Sequence, residues 1–166
     1  MGLAEDFDRV NLQERELQLD RMDEQVAWEI GTRLRALAEE RELAVVVDVR
    51  RFGQPLFYSA LKGTTPDNAE WVRRKSNCVA RFLRSSYGLG LFLKNRNDSL
   101  EVRGLPAADY ASHGGSFPIT VKGAGIVGSI TVSGLPQRAD HELVVEALCG
   151  FLGRSYDDLK LSKEDS

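Results

Sequence analysis

The sequence has few of the residues that build covalent or metal-centred frameworks. Its 166 residues include two cysteines and two histidines. Two cysteines cannot form the disulfide framework of a small secreted domain, and neither a CxxC nor an HExxH motif is present to suggest a structural zinc site. Because Cys78 and Cys149 both lie within apolar helical patterns, we predict that they pack in the core, in preference to disulfide or redox use.

Long hydrophobic runs and an excess of positive charge are also absent. No stretch approaches the ~18 apolar residues of a membrane span, and residues 1–10 carry Glu5, Asp6 and Asp8 in place of the apolar centre of a secretory signal. The net charge of -3 and the pI near 5.5 give no basic field of the kind that nucleic-acid-binding domains normally carry. We therefore expect a cytoplasmic protein that binds neither membranes nor nucleic acids.

The composition is that of a folded globular domain. Hydrophobic residues make up 42% of the chain and charged residues 28%, which excludes a disordered or low-complexity protein. A length of 166 residues matches one domain. We predict a single domain over residues 1–166, with residues 1–11 and 153–166 peripheral to it.

Hydrophobic periodicity predicts an α+β fold. Apolar residues at helical spacing predict helices over residues 4–14, 23–41, 66–86 and 136–151. Alternating or β-branched patterns predict strands over residues 17–19, 44–50, 56–61, 117–121 and 126–132. Between and after these elements, the sequence predicts an extended helix or a separate turn at 89–93, mostly loop at 94–115 and a frayed, charged tail from residue 157. Because four of the strands form sequence-adjacent hairpins, the sheet should be antiparallel, with helices covering its apolar face.

Residues 123–128 match the G-x-G-x-x-G pattern of dinucleotide-binding loops. That motif works because a helix N-terminus follows the glycines and directs its amides at a pyrophosphate. Here Ile126, Ile130 and Val132 continue in strand alternation, so the glycines are predicted to turn a hairpin and to let another backbone approach. A Gly-x-Ser-x-Gly nucleophile elbow is also missing, which argues against a serine hydrolase.

The helix that begins after Thr65 carries the most informative pattern. At about 100° per residue, one stripe of this helix could grip an anion or a partner subunit, because it contains Arg73, Arg74, Arg81 and Arg84. Lys75 lies in the middle of the opposite, apolar arc. Either its stem runs along the core and its ammonium ends in water, or it places a desolvated ammonium at a pocket floor, ready to pair with a carboxylate, phosphate or propionate.

Two charged residues of the first predicted strand share one face. Asp48 and Arg50 point away from the valines that alternate with them. An ion pair on the solvent face is the simpler interpretation. Alternatively, the adjacent Arg51 places a guanidinium at the mouth of a pocket.

The two histidines limit acid-base and metal chemistry to two positions. His113 lies in a loop that contains Gly114 and Gly115 and enters a strand, so it could present an imidazole to a ligand or to iron. His141 lies in the first turns of the last helix between Asp140 and Glu142, and we predict that it is a surface residue.

Several segments together resemble one known superfamily. They are residues 51–58 (RFGQPLFY), 65–68 (TPDN) with Trp71, Arg74 and Lys75, 85–87 (SSY), 108–115 (ADYASHGG) with 117–119 (FPI), and 131–137 (TVSGLPQ) with Asp140 and His141. On these residues the chain resembles the uncharacterised-protein-family branch of the haem-degrading-domain superfamily, the HbpS/GlcG-like proteins, over about residues 12–152.

The resemblance implies a fold, an assembly and a class of ligand. The fold is profilin-like, an antiparallel sheet of about five strands with helices on both faces, and members commonly form symmetric homo-oligomers. Some relatives bind haem or corrinoid-related ligands, and the family name indicates haem breakdown. Haem would need an axial ligand, for which His113 is the candidate in this chain, and Lys75, Arg50 or Arg51 could pair with the propionates.

Two functional hypotheses follow, and both leave catalysis and the identity of the ligand open. The first is a small-ligand-binding protein, for haem or another small anionic ligand, with a pocket lined by Arg51, Tyr58, Lys75, Tyr87, His113 and Phe117. The second is an oligomeric protein-interaction adaptor without ligand chemistry, whose arginine stripe pairs with acidic faces. Enzymatic haem degradation would need bound iron, a reductant and oxygen, for which the sequence carries no separate indication.

Overall fold

The computed structural model describes residues 2–163, so Met1 and residues 164–166 of the predicted tail lie outside the described residues. The elements in this range are α1 (Gly2–Glu16), α2 (Glu24–Glu40), β1 (Val46–Arg51), β2 (Gln54–Ala60), α3 (Pro66–Phe82), α4 (Ser86–Asn95), β3 (Ser116–Val121), β4 (Gly125–Ser133), α5 (Gln137–Leu152) and α6 (Tyr156–Leu159). None of these helices is long and apolar enough to cross a bilayer.

The strands form one antiparallel sheet in the order β2-β1-β4-β3, which confirms the predicted α+β class and both hairpins. The described residues supply four strands and not the five that we expected. In the segment predicted as a brief strand, only Leu19 forms a bridge, to Val121. The amide of Leu19 donates to Thr120 O at 2.8 Å and that of Lys122 donates to Leu19 O at 2.9 Å. This segment therefore covers the outer edge of β3 without becoming a strand.

One face of the sheet is apolar and carries the main core. Val47 and Val49 of β1 are register partners of Val132 and Ile130 of β4, and paired residues point to the same face. The helices α2 and α5 cover this face with the buried side chains of Ile30, Leu34, Val144 and Leu148. Burial of these aliphatic side chains is the main favourable contribution to the stability of the fold.

The opposite face of the sheet is polar, although it is also buried. Asp48 and its register partner Thr131 are fully buried, as is Ser116 at the start of β3. The hydroxyls of Ser116 and Thr131 are 2.8 Å apart and bond to each other. The helix α3 crosses this face, so helices cover both sides of the sheet. Because buried polar groups need partners, a polar site can form between this face and α3.

The helix α3 begins as the sequence predicts and ends earlier. Asn68 Oδ1 accepts a hydrogen bond from the Thr65 amide at 2.9 Å, as in a capping box. The helix ends at Phe82, because Leu83 adopts a left-handed backbone conformation with a φ of 55°. Ser85 Oγ then accepts from the Gly88 amide at 3.0 Å and caps the next helix. Residues 86–95 are thus a separate helix and not an extension of α3.

The glycine-rich segment turns a hairpin, as predicted from its strand context. Gly123 and Gly125 have φ values of 80° and 89° in the turn between β3 and β4. Gly128 lies further along β4, where a Cβ would be 2.0 Å from Arg50 O of the neighbouring strand. No helix N-terminus follows these glycines, so they cannot bind a pyrophosphate in the manner of a dinucleotide fold.

The prediction of a frayed tail is wrong for the residues that the structure describes. Leu159 and Leu161 are each 4% exposed. Arg9 Nη2 of α1 donates to Lys160 O at 2.9 Å, and Gln13 Nε2 donates to Leu159 O at 2.9 Å. The charged composition of the tail did not reveal that two of its leucines find an apolar surface.

Both cysteines are buried and unpaired, in agreement with the prediction. Burial raises the pKa of the Cys78 and Cys149 thiols to about 11 in each case. At neutral pH both are therefore protonated and unreactive.

Candidate functional site

Lys75 is buried between α3, β4 and α5. Its residue exposure is 3%. The ammonium donates to Asp140 Oδ2 at 3.0 Å and to Val132 O at 3.1 Å. Of the two alternatives that the sequence left open, the buried ammonium paired with a carboxylate is therefore the correct one, and the ammonium that ends in water is wrong.

The Lys75–Asp140 pair is held in place by the turn before α5. Asp140 Oδ1 accepts from the Leu135 amide at 2.9 Å, and its Oδ2 accepts from the Gly134 amide at 3.4 Å. Burial lowers the pKa of Lys75 and raises the pKa of Asp140, and the charge of each partner opposes that shift in the other. The pair therefore brings two opposite charges into the interior at a position where they compensate each other.

A cavity of about 270 Å³ lies above this pair, and we call it the α3–α5 cavity. It is lined by Asp67, Asn68, Trp71, Lys75, His113, Ser133, Gly134, Leu135, Gln137 and Asp140. Its wall comes from the first turns of α3 and α5 and from the loop that precedes β3. The lining combines one aromatic ring with several polar groups, as is usual for small-ligand sites.

His113 stands at the wall of the α3–α5 cavity with an accessible imidazole. Its ring meets Trp71 edge to face, with the centroids 5.3 Å apart. Partial burial lowers the pKa of His113, and the nearby charges of Lys75 and Arg74 lower it further. Within residues 2–163, His113 forms no side-chain hydrogen bond, so neither ring nitrogen has a partner there. The imidazole is therefore neutral at pH 7 and has a free lone pair.

The loop that carries His113 is fixed by two glycines that pack directly against other backbone segments. A Cβ on Gly114 would be 2.3 Å from Gln137 O, and a Cβ on Gly115 would be 2.4 Å from Val132 O. The Gly114 amide also donates a hydrogen bond to Gln137 Oε1 at 2.9 Å. Gly115 has a φ of 137°, which other residues rarely adopt. The backbone on the C-terminal side of His113 is therefore anchored to α5 and β4.

Of the six residues predicted to line one pocket, Lys75 and His113 meet at the α3–α5 cavity and the other four do not line it. Arg51 donates to Glu24 of α2 at 2.6 Å, and Tyr58 is 50% exposed on β2. The Tyr87 hydroxyl donates to Asp6 at 2.6 Å beneath the loop, and Phe117 is 1% exposed in the apolar core. Strand alternation separates Arg51 and Phe117 from Lys75, because their side chains point to the face that α2 and α5 cover.

Four of the charged residues that the sequence singled out make contacts within the fold. Asp48 and Arg50 form a bidentate ion pair at 2.7 and 2.9 Å, but Asp48 is fully buried, so the pair does not lie on a solvent face as predicted. In the arginine stripe, Arg73 Nη2 donates to Ala108 O at 2.8 Å and Arg74 Nε donates to Ala107 O at 2.9 Å. These two arginines therefore hold the loop before β3.

His141 is fully buried, and the prediction that it is a surface residue is wrong. Its Nε2 is 2.7 Å from Gln13 Oε1 of α1. Burial lowers the pKa of His141 to about 3. A signal for this was present in the sequence, since His141 precedes Val144, Val145 and Leu148 at helical spacing and so shares their apolar face.

Other cavity residues were not singled out as ligand contacts by the sequence. Asp140 and Gln137 reach the cavity because α5 starts beside the end of β4, and Asn68 and Trp71 reach it because α3 crosses the same end. Among residues 2–163, no group of three histidine, cysteine or carboxylate side chains could hold a metal ion.

A family model and curated relatives place the chain in the same family. Residues 22–149 match the family described as haem degrading protein HbpS-like. A UPF0303 protein of Acidobacterium capsulatum is 59% identical over 162 residues, which cover 97% of this chain and 98% of that protein. A UPF0303 protein of Burkholderia cenocepacia is 56% identical over 164 residues, which cover 98% of this chain and 99% of that protein.

Solved structures share the fold. The crystal structure of the Ybr137w protein matches with a TM-score of 0.82 and 27% identity, covering 89% of this chain and 88% of that one. HbpS matches with a TM-score of 0.64 and 22% identity, over 82% of this chain and 94% of that one. A complex of PduOC with heme matches with a TM-score of 0.62 and 14% identity, over 73% and 88%.

Proposed function

Because the chain belongs to the HbpS-like family of haem degrading proteins, we propose that it binds a small ligand, haem or a related tetrapyrrole, at the α3–α5 cavity. The family description makes haem the first ligand to test, and a structural neighbour with the same fold is a heme complex. The proposal concerns binding, and it assigns no catalytic residue.

The accessible, unpaired imidazole of His113 is the observation that carries this proposal. A histidine nitrogen is a common axial ligand of haem iron, provided that the ring is neutral and its lone pair is free. His113 meets both conditions, since its pKa is lowered and its nitrogens have no partner within residues 2–163. Its backbone is anchored through Gly114 and Gly115, so the ring is held ready at the cavity wall.

Lys75 adds a donor for an anionic group of the ligand. An ammonium has three N–H bonds, and within the described residues Lys75 uses two of them, for Asp140 and Val132. The third can donate to a ligand carboxylate such as a propionate. Because Asp140 already neutralises the lysine, we expect this contact to orient the ligand more than to attract it from a distance.

The size of the cavity limits how a tetrapyrrole could bind. At about 270 Å³ it lies just below the ~300 to 1,000 Å³ of sites that enclose drug-sized ligands. A group as large as haem would be only partly enclosed. When bound, haem would supply the iron and redox chemistry, while this chain would supply the nitrogen of His113, the aromatic contact of Trp71 and the donor of Lys75.

Haemin titration of the purified protein, followed at the Soret band, tests the proposal. We expect a saturable shift at one haem per chain, and we expect His113→Ala to weaken binding by more than the ~10-fold that loss of an outer-shell partner costs. The chain has two tryptophans, so a Trp28→Phe background leaves Trp71 as the one indole. Quenching of its fluorescence would then report occupation of the cavity itself.

Arg51→Ala is the matched control, because Arg51 points to the other face of the sheet. It should leave the Soret shift unchanged. Haemin binding that His113→Ala does not alter, or that quenches Trp28 and spares Trp71, would contradict the proposed site. Thermal unfolding of His113→Ala should match that of the unmodified protein, which separates lost ligation from lost folding.

A second candidate function is assembly into a homo-oligomer, and the surface beside β2 favours it. β2 is an edge strand, and within residues 2–163 no segment pairs with its outer side. Trp28 is 59% exposed next to Phe57 of this strand, and Tyr58 is 50% exposed on its other face. Exposed aromatic side chains beside an uncovered strand edge are typical of surfaces that pair with another chain. A second copy could extend the sheet there without occupying the α3–α5 cavity.

A further inference from the structure

A second cleft, away from the α3–α5 cavity, lies where the end of α3 meets α1 and α4. Its volume is about 400 Å³. Phe82, Leu83 and Phe92 give it an apolar lining, and Arg15 and Arg84 place two guanidiniums in its wall. We call it the α1–α4 cleft. It shares no lining residue with the α3–α5 cavity.

Leu83 in this cleft is unfavourable in two respects. Its backbone is left-handed, with φ 55° and ψ 45°, at the position after a helix where glycine is usual. Its side chain is 54% exposed. A glycine here would remove both the backbone strain and the exposed apolar surface. The leucine side chain therefore lowers the stability of the unliganded protein, and it contributes an apolar surface to the cleft.

The charges around the cleft favour an anion. The guanidinium of Arg84 lies 4.9 Å from the Phe92 ring centroid, and that of Arg96 lies 4.6 Å from it. In the described residues, Arg15, Arg84 and Arg96 form no ion pair with a carboxylate within 4 Å. The one acid in the lining, Glu14, accepts from the Ser85 amide at 3.0 Å; burial raises its pKa, and this hydrogen bond and the charge of Arg84 oppose that rise. The cleft is thus locally basic in a chain whose net charge is -3.

From these observations we propose that the α1–α4 cleft binds a free amphiphilic anion, with an apolar body against Leu83 and Phe92 and a carboxylate or sulfonate head at Arg15 and Arg84. The aromatic and aliphatic surface accounts for the apolar body of such a ligand. The guanidiniums account for the head, because arginine binds planar oxyanions in a bidentate manner. This proposal is independent of haem binding at the other cavity.

Titration with 8-anilinonaphthalene-1-sulfonate, an amphiphilic anion that fluoresces in apolar sites, tests the cleft. Dodecanoate should displace the probe, and dodecylamine, with the same apolar body and the opposite charge, should be at least ~10-fold weaker. Arg84→Gln should weaken probe binding at least ~5-fold, in the range of one charge-assisted contact. Arg21→Gln, which removes an exposed arginine outside the cleft, and His113→Ala at the other cavity should leave it unchanged.

Leu83→Gly gives the sharpest outcome, because we expect it to act in opposite directions on folding and on binding. Relief of the left-handed strain should raise the Tm by about 2–4 °C, while loss of the side chain should weaken probe binding at least ~5-fold. Unchanged probe affinity in Leu83→Gly, or equal displacement by dodecylamine and dodecanoate, would overturn the proposal. Cosedimentation with phosphatidylglycerol vesicles in the absence of dodecanoate binding would also overturn it, in favour of a membrane surface.

Discussion

His141 shows how a single buried residue can link stability to pH. Gln13 uses its amide nitrogen to donate to Leu159 O at 2.9 Å and to Glu142 at 3.2 Å, so its Oε1 is an acceptor. The proton between Gln13 and His141 therefore sits on His141 Nε2, and the partnerless Nδ1 is the unprotonated nitrogen. Asp6 favours the protonated ring, but burial outweighs it and lowers the pKa to about 3.

We predict that replacing His141 by glutamine removes a pH-dependent part of the stability. The unfolded chain protonates His141 near the ordinary pKa of ~6.5, and the folded chain protonates it only near pH 3. The unmodified protein therefore loses stability as the pH falls from 6.5 towards 3. His141→Gln should be less stable than the unmodified protein at pH 7, and the difference between their free energies of unfolding should shift by about 3 kcal/mol in favour of the variant at pH 4. Urea unfolding of both proteins at pH 7, 5.5 and 4 measures this difference.

Three buried carboxyls make the comparison between variants necessary. Burial raises the pKa of Glu14, Asp140 and Glu142. Protonation of each of these carboxyls therefore stabilises the folded protein as the pH falls, which opposes the effect of His141. They are present in both proteins, and their contributions cancel in the difference. A difference in unfolding free energy that stays constant from pH 7 to 4 would contradict the prediction, because it would show that His141 takes up its proton at the same pH in the folded and the unfolded chain.

At the level of elements, the Lys75–Asp140 pair joins α3 to α5 across the end of β4. Both partners are nearly inaccessible, with side-chain exposures of 4% and 2%. Removing one charge leaves the other buried and uncompensated, which typically costs ~3–5 kcal/mol. The pair also forms the floor of the α3–α5 cavity, so its integrity sets the position of two cavity walls.

We therefore predict that Lys75→Met and Asp140→Asn each destabilise the protein by about 3 kcal/mol or more, and that the double variant costs clearly less than their sum. Chemical unfolding at pH 7 gives the three free energies. Arg154→Met is the matched control, because its ion pair with Glu16 is exposed and should be worth ~1 kcal/mol or less. Additive losses would show that the two charges do not compensate each other.

At the scale of the whole molecule, the two edges of the sheet differ. The outer edge of β3 is covered by Leu19, whereas the outer edge of β2 has no partner in the described chain. Uncovered edges invite pairing with another chain, and here aromatic side chains accompany the edge. This asymmetry favours one interface, at β2.

We predict that light scattering will give a mass of at least two chains of 18.5 kDa each. Trp28→Glu or Tyr58→Glu should lower this mass. A charge at this surface would have to be desolvated on assembly, which is unfavourable. Val102→Glu is the control, because Val102 is 80% exposed in a loop remote in sequence from both residues. A monomeric mass for the unmodified protein would rule out the oligomer, and an oligomer that survives both variants would place its interface elsewhere.

Residues close in sequence explain what could be predicted about the fold. The start of α3 at Thr65 and Pro66 follows from capping, and the hairpin at residues 123–125 follows from glycines within strand alternation. The end of α3 was missed, since a leucine in the left-handed conformation at residue 83 breaks the usual preference for glycine. The strand predicted at residues 17–19 was reduced to one bridge, because the segment pairs only briefly with β3.

The candidate site was predictable only in part, for the same reason. His113 stood out by its chemistry and its glycine-bearing loop, and Lys75 by its place in an apolar arc, and both are local signals. The partner of Lys75 is Asp140, 65 positions away. The wall residue Gln137 accepts a hydrogen bond from the Gly114 amide, 23 positions away. No local pattern specifies contacts over such separations, so the pocket that we predicted combined residues from both faces of the sheet.

Periodicity, capping and turn chemistry thus decide the elements of this protein from the chain alone, because they depend on neighbours within a few residues. Packing decides the rest. The crossing of α3 over the polar face of the sheet buries the ammonium of Lys75 against Asp140, and the side chain of Gln13 from α1 reaches the buried His141 of α5. A side chain's pKa and its access to ligands depend on what surrounds it in three dimensions, and those surroundings exist only once the elements have come together.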